Sequence, residues 1–500
     1  MIRQIFIRIA NCEARFMLFN SYIFVLFFLP VCLLGYFGLN HFRCYKLAQL
    51  FLLIMSLWFY GYFNPGYLII ILASIVINYG FNIVFANVSH AFWRKATLAV
   101  AVVFNVGILF YFKYFDFFMV NASALIGADY TLKNILLPLG ISFFTFQQLS
   151  YVIDCYHGEV PQYDFLQYAS FVAYFPQLIA GPIVTHDELV PQFNDNSKKF
   201  FHWDNMAQGL YIFALGLGKK VLIADTFGNA ANWAFSNVAM LDSTNAILGM
   251  LAYTIQIYFD FSGYCDMAIG IAKMMNIDLP LNFDSPYKAL TIGDFWSRWH
   301  KTLTRFFTKY IYIPLGGSRR GMLRTCINTM VVFLISGIWH GANWTFIVWG
   351  CLHGLAMVGY KVFRAYVDKW PKALNWFITF VFVNVAWVLF RADSLEQASA
   401  FLGRAAAMQF GAVNTDLLAA FQSIEMMYVL RQTPLAAMAP MLLCAGHFLF
   451  AFLLILGSRN AYEKMCSFKP GLLNMAVACI LTVWCVFSFA GISTFLYFNF

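Results

Sequence analysis

The chain is 500 residues long, 61% hydrophobic and only 11% charged, with a formal net charge of +9 and a mean hydropathy of +0.69. A soluble domain is about half apolar and about a quarter charged, and a soluble chain of this length would still need a polar surface, so core burial cannot absorb the excess. Lipid is the expected outer solvent, and no nucleic-acid partner is expected.

The first four predicted spans cover about 18–38, 46–63, 67–87 and 97–119, each near the roughly 20 residues that a bilayer requires. Arg43 and Lys46 lie in the first connection, and Arg94 and Lys95 in the third. The second is Asn64-Pro65-Gly66, and the fourth has Lys133 as its single basic residue. This alternation assigns the first and third connections to the cytoplasm. It also puts Arg3, Arg8 and Arg15 on the wrong side, a conflict removed if the natural start is Met17 and residues 1–16 are an extension. Further apolar segments follow near 135–156, 165–184, 206–224, 245–275, 303–315, 325–359, 373–391, 438–457 and 472–490. Leu137-Pro138-Leu139-Gly140, Ala180-Gly181-Pro182 and Pro314-Leu315-Gly316-Gly317 interrupt them. Broken backbone at membrane depth must be buried by protein or line water, so re-entrant pieces around a cavity are expected. The 57 Phe, 27 Tyr and 13 Trp suit the apolar interior and the interfaces. The polar 393–435 stretch reads as an amphipathic extramembrane helical segment.

Ionisable residues inside apolar segments default to a functional reading, and three clusters qualify. Ile-Trp-His-Gly-Ala-Asn-Trp over 338–344 lies within the 325–359 stretch. An imidazole can take and return a proton near neutral pH, and Gly341 and Ala342 leave room beside His340 for a substrate. His340 could equally be a packing residue bonded to a neighbouring hydroxyl, and His353 reads as packing or interface. In the second cluster, Arg298, Lys301, Arg305 and Lys309 recur at spacings of three and four and are expected on one helix face. Trp296 and His300 would lie one turn apart on an adjoining face. The stripe fits either an interfacial helix gripping lipid headgroups or a seat for an anionic cofactor phosphate. In the third, Asp266 lies about 240° round from Asp260 on an unbroken helix. Asp260 is therefore expected to orient a partner or support packing rather than to form an acid/base pair. No P-loop, dinucleotide fingerprint, HExxH or GxSxG stands in its required context, and the eleven Cys lack CxxC spacing, so no metal site is expected.

Met17–Pro30, Leu137–Gly158, Pro176–Val184, Tyr258–Gly317, Ser336–Gly354 and Val385–Ala398 together resemble the membrane-bound O-acyltransferase superfamily. The likeness is to its bacterial branch typified by the alginate O-acetyltransferase membrane subunit, and it runs from about residue 17 to the C-terminus. It implies an all-α polytopic transmembrane protein, with roughly 11–13 spans or re-entrant helices around a central funnel. It divides the chain into a catalytic membrane domain over 17–392 and a 393–500 region of amphipathic segment, final spans and aromatic tail. The family's near-invariant histidine falls on His340 and a second important one on His300.

The implied activity moves an acetyl group from cytoplasmic acetyl-CoA, with no permanently bound cofactor, to a cell-envelope polysaccharide, alginate-like or peptidoglycan. CoA phosphates would sit near Arg298, Lys301 or Arg305, and His340 would be the general base. Trp339, Asn343 and Trp344 would shape the site and exclude water, with Asp260 in support. His300 or Asn343 would orient or polarise the thioester carbonyl. The tail Phe495–Phe500 resembles this branch's aromatic motif, making Tyr497 either an acyl relay or an interfacial anchor. A periplasmic or extracellular SGNH-type partner and the cytoplasmic membrane of a bacterium are expected. The rivals are D-alanyl transfer to teichoic acid, against which the long 393–500 region argues, and a lipid or polysaccharide transporter. Transporters commonly pair corresponding broken helices, and the breaks in the two halves of this chain do not correspond.

Overall fold

The computed structural model describes residues 17–489 and 495–496, apart from the side chains of Ile424 and Glu425. Residues 1–16, expected to be an extension, and Tyr497 lie outside the described residues. In lipid a spanning backbone must satisfy its own polar groups, which leaves helices or closed barrels. Among the described residues this chain takes the first solution throughout, with helices and no strand.

Eight of the described helices are long and apolar enough to cross a bilayer: Phe24–His41, Tyr45–Phe63, Pro65–Asn87, Ala91–Ile126, Met322–His340, Trp344–Val367, Lys372–Arg391 and Ala436–Gly457. Leu472–Ser488 is a shorter apolar helix. Several expected segments are subdivided. The 165–184 stretch becomes Phe165–Ala173 and Phe175–Leu178, followed by turns. The 325–359 stretch becomes two helices, because Gly341 is extended and Asn343 caps a new start, its side-chain oxygen accepting from the Thr345 N–H at 3.1 Å. The 245–275 segment is one unbroken 32-residue helix, Ser243–Met274. Left-handed Gly140 precedes the helix Ile141–His157, and left-handed Gly317 closes the turn after Pro314.

The chain forms two compact units. The first comprises the described residues up to Leu217, with Tyr264–Pro280 and the described residues from Ser467 on. Its packing is aromatic: Phe24 and Phe59 lie with ring centroids 5.7 Å apart, and Phe28 and Phe175 5.2 Å apart. A polar seam joins three of its helices. The Ser74 hydroxyl donates to Gln148 Oε1 at 2.7 Å, and the Asn105 amide donates to Asn78 Oδ1 at 2.7 Å. Hydrogen bonds of this kind hold helices together where lipid supplies no hydrophobic drive. Phe495, from the start of the tail, is buried in this unit with its ring 4.7 Å from that of Tyr264.

The second unit comprises Gly218–Gly263 and Leu281–Cys466. Its centre is the hairpin of Met322–His340 and Trp344–Val367, which cross on bare backbone. A Cβ at Gly337 would stand 2.4 Å from the Phe346 carbonyl oxygen, and one at Gly350 would stand 2.5 Å from that of Phe333. Small residues at a crossing allow this approach. The crossing lies one turn before His340 and so fixes where that histidine emerges. Beyond the hairpin, the 393–435 region forms the helices Leu395–Ala406, Thr415–Ala419 and Ile424–Arg431.

Candidate active site around two buried histidines

His340 ends the Met322–His340 helix and is only 3% exposed. Its ring centroid lies 4.9 Å from Trp339, 5.1 Å from Trp349 and 5.1 Å from Phe390, all edge to face. The backbone after it is extended, and a Cβ on Gly341 would run into the Phe346 ring at 2.1 Å. A broken strand of main chain, small residues and a box of aromatics thus surround one imidazole.

His300 reaches the same neighbourhood from another part of the chain. The helix Ile292–Arg298 starts with Thr291 Oγ1 accepting from the Asp294 N–H at 3.1 Å. It stops at Arg298, because Trp299 is extended and His300 is left-handed, with φ of +46°. A new helix then runs Lys301–Phe307. The expectation of one continuous helix carrying a cationic face is therefore corrected, and Trp296 and His300 are not one turn apart on it. The physical cause is a backbone clamp: the Asp284 N–H donates to the Arg298 carbonyl at 2.9 Å, and the Lys301 N–H donates to the Asn282 carbonyl at 2.9 Å. A left-handed non-glycine residue costs about 1–3 kcal/mol and persists only where its surroundings hold it. His300 is fully buried, its Nδ1 is 3.0 Å from Asn282 Oδ1, and its ring lies 5.0 Å from Phe261 and 6.2 Å from Trp339. The Trp339 indole is thus in ring contact with both imidazoles.

The cationic residues separate into two groups. Lys301, Arg305 and Lys309 line a cleft of about 320 Å³ together with Trp296, Thr304 and Thr308. Arg298 is not among the lining residues: its Nε is 2.7 Å from Asp294 Oδ1 and its Nη1 donates to the Asp284 carbonyl at 3.3 Å. Trp296 ties the cleft to the aromatic interior, since its indole N–H donates to His353 Nδ1 at 3.2 Å. His353 is fully buried, with its ring 4.7 Å from that of Trp349, and so does the packing work expected of it.

Other expected site residues are placed differently. Asn343 uses its oxygen as the helix cap and donates its amide N–H to the Asp393 carbonyl at 2.8 Å. That holds the His340 hairpin to the chain near 393 and leaves no support for a role polarising a carbonyl. Trp344 is 51% exposed and does not wall the histidine; fully buried Trp349 does. Asp260 accepts from the Lys220 ammonium at 2.7 Å, and Asp225 accepts from the same ammonium at 2.8 Å. This three-charge cluster, with Lys220 and Asp260 buried and Asp225 partly exposed, ties the Ser243–Met274 helix to the π-helical segment Lys219–Ala224.

Sequence reasoning missed Lys220, Trp349, Phe390 and Asn282. A signal existed for Lys220, a lysine inside an apolar run. None existed for Asn282, whose neighbours Leu281 and Phe283 read as ordinary apolar residues.

The model of the MBOAT, membrane-bound O-acyltransferase, family matches residues 142–396, a span that includes both histidines. The peptidoglycan O-acetyltransferase of Helicobacter pylori is 44% identical over 76% of this chain and 78% of its own length. A protein of Pseudomonas aeruginosa named as a probable alginate O-acetylase is 40% identical over 76% of this chain and 73% of its own. The teichoic acid D-alanyltransferase of Bacillus subtilis is 28% identical over 49% of this chain and 62% of its own. With its helical fold, membrane-length apolar helices and these matches, the chain is a multi-pass membrane O-acyltransferase and belongs to the membrane-bound O-acyltransferase family.

Proposed function

We propose that this protein transfers acetyl groups from cytoplasmic acetyl-CoA across the bacterial inner membrane for O-acetylation of a cell-envelope polysaccharide. The observation that carries this reading is the pair of buried histidines, His340 and His300, in contact with one indole beside a break in an apolar hairpin. Proton transfer at that point, screened from water by Trp339, Trp349 and Phe390, is what acyl transfer between a thioester and a hydroxyl requires. The relatives named for peptidoglycan and alginate acetylation match more of the chain, at higher identity, than the D-alanyltransferase does, which favours acetyl over D-alanyl as the group moved.

In this reading the CoA phosphates sit on Lys301, Arg305 and Lys309 in the cationic cleft. Arg298, already paired with Asp294, acts by holding the helix end. His340 takes the proton of the acceptor hydroxyl as its oxygen attacks the acetyl carbonyl. The C–O bond forms, the C–S bond breaks, and the proton passes from His340 to the leaving thiolate. Tyr497 is the acyl relay toward an SGNH-type partner on the far side of the membrane, which completes transfer to the polysaccharide.

The test is the purified protein with radiolabelled acetyl-CoA. Release of CoA with labelling or hydrolysis is expected, and His340→Ala is expected to abolish it while elution volume and melting temperature are kept. A fully active His340→Ala enzyme would overturn the assignment, and stoichiometric uptake without chemistry would point to a carrier. Acetyl-tyrosine on the C-terminal peptide, dependent on His340, is the expected mark of the relay; its absence during turnover counts against Tyr497.

A further inference from the structure

We propose that Asn282 is a positioning residue that fixes His300 as its Nδ1–H tautomer, so that His300 meets the acceptor hydroxyl as a hydrogen-bond acceptor at Nε2. The proposal rests on the acyl-transfer reading above for the identity of that hydroxyl; the tautomer itself rests on geometry.

Asn282 is fully buried and grips three consecutive residues. Its main-chain carbonyl accepts from the Lys301 N–H at 2.9 Å. Its side-chain oxygen accepts from the Thr302 N–H at 3.4 Å and from the Thr302 hydroxyl at 3.0 Å, and lies 3.0 Å from His300 Nδ1. A backbone N–H can only donate, so the amide atom facing Thr302 is the oxygen and not the NH₂ group. An amide oxygen can only accept, so the hydrogen between it and the imidazole belongs to Nδ1. A neutral imidazole protonated at Nδ1 carries its lone pair at Nε2. The imidazolium, which would donate at both nitrogens, is disfavoured by full burial among Phe261, Phe283 and Trp339 with an uncharged amide as partner.

This settles which of two tasks His300 can perform. Polarising a thioester carbonyl needs a hydrogen-bond donor, and a neutral His300 has none left at Nε2. Accepting the hydrogen of the acceptor hydroxyl needs a lone pair, which the Asn282 clamp provides. His300 then aims the hydroxyl oxygen, no bond to His300 is made or broken, and the proton leaves through His340.

The test uses the full chain in lipid bilayers. Solid-state NMR of ¹⁵N-histidine-labelled protein, with His300 identified by the signal lost in His300→Gln, is expected to show Nδ1 protonated and Nε2 bare. A protonated Nε2 in the neutral ring overturns the proposal. Asn282→Asp keeps the accepting oxygens but stabilises the imidazolium, so the ¹⁵N titration of His300 should move up by about one pH unit or more. Its KM for acetyl-CoA should stay within about twofold, with activity recovering at higher pH. Asn282→Ala should lower kcat roughly a hundredfold across the pH range. A His300 titration in Asn282→Asp superimposable on the parent overturns the proposal, since an amide that does not face the imidazole would leave it in place. The two readings fail separately: the expected tautomer in a protein that never consumes acetyl-CoA supports the clamp and refutes the acetyl-transfer reading.

Discussion

Replacing Gly337 with Ala perturbs the active site without touching a reacting group. The added Cβ would lie 2.4 Å from the Phe346 carbonyl oxygen, where ordinary contact begins near 3.4 Å, so the two helices must part by about 1 Å. The obstacle is main chain, which cannot swing aside as a side chain would. Overpacking of this kind costs about 1–3 kcal/mol, which a large helical protein can absorb. The greater effect falls on geometry. Gly337 is three residues before His340, whereas Trp349 and Phe346 belong to the facing helix, so the parting separates the imidazole from its aromatic box. A displacement of about 1 Å in a positioned group can lower the rate on the order of a hundredfold. Steady-state release of CoA from acetyl-CoA is the assay, with kcat expected to fall about that much and KM for the donor nearly unchanged. Gly359→Ala is the control: a Cβ there meets nothing within 4 Å, and an alanine in a helix should be neutral or stabilising by about 0.5–1 kcal/mol. A Gly337→Ala enzyme with parental kcat would refute the idea that this crossing places His340.

Lys220→Met leaves the buried carboxylate of Asp260 and the partly exposed one of Asp225 without the ammonium between them, and should destabilise the protein by about 3–5 kcal/mol. Thermal unfolding in detergent reads this, and a parental melting temperature would remove Asp260 from its supporting role. Charge reversal at the cleft, Arg305→Glu with Lys309→Glu, should raise KM for acetyl-CoA at least about tenfold, with a weaker effect at high salt, while kcat changes little. Unchanged KM would mean that the cleft grips headgroups instead of the donor.

Much of the site was legible locally, and its limits follow one pattern. His340 stood out because an imidazole flanked by Gly341 and Ala342 in an apolar run has few local explanations. The cations after residue 297 also stood out, but their spacing was read on a helix that does not continue. Nothing near His300 in sequence announces the break, since its cause is a hydrogen-bonded clamp from Asn282 and Asp284. Arg298 and Lys301 look alike as members of a stripe; in the fold Arg298 pairs with Asp294 four residues before it, while Lys301 lines the cleft with its Nζ 3.5 Å from Asp284, a partner 17 residues away. Trp344 and Trp349 were equally available to wall His340, and the start of a helix at Trp344 decided which one turned outward.

What the sequence alone determined is the solvent and the class of structure. Hydrophobic excess is a sum over residues and needs no fold to be read, and helices follow because lipid offers backbone groups no other partner. The family motifs likewise survive as strings. What only tertiary structure decided is the hydrogen-bond partner of His300 and the partners of the buried charges. Those depend on atoms such as Asn282 Oδ1 and Asp260 Oδ1, brought within hydrogen-bond distance of His300 and Lys220 by chain returns of 18 and 40 residues. Periodicity tells which face of a helix a residue occupies; it carries no information about what arrives opposite.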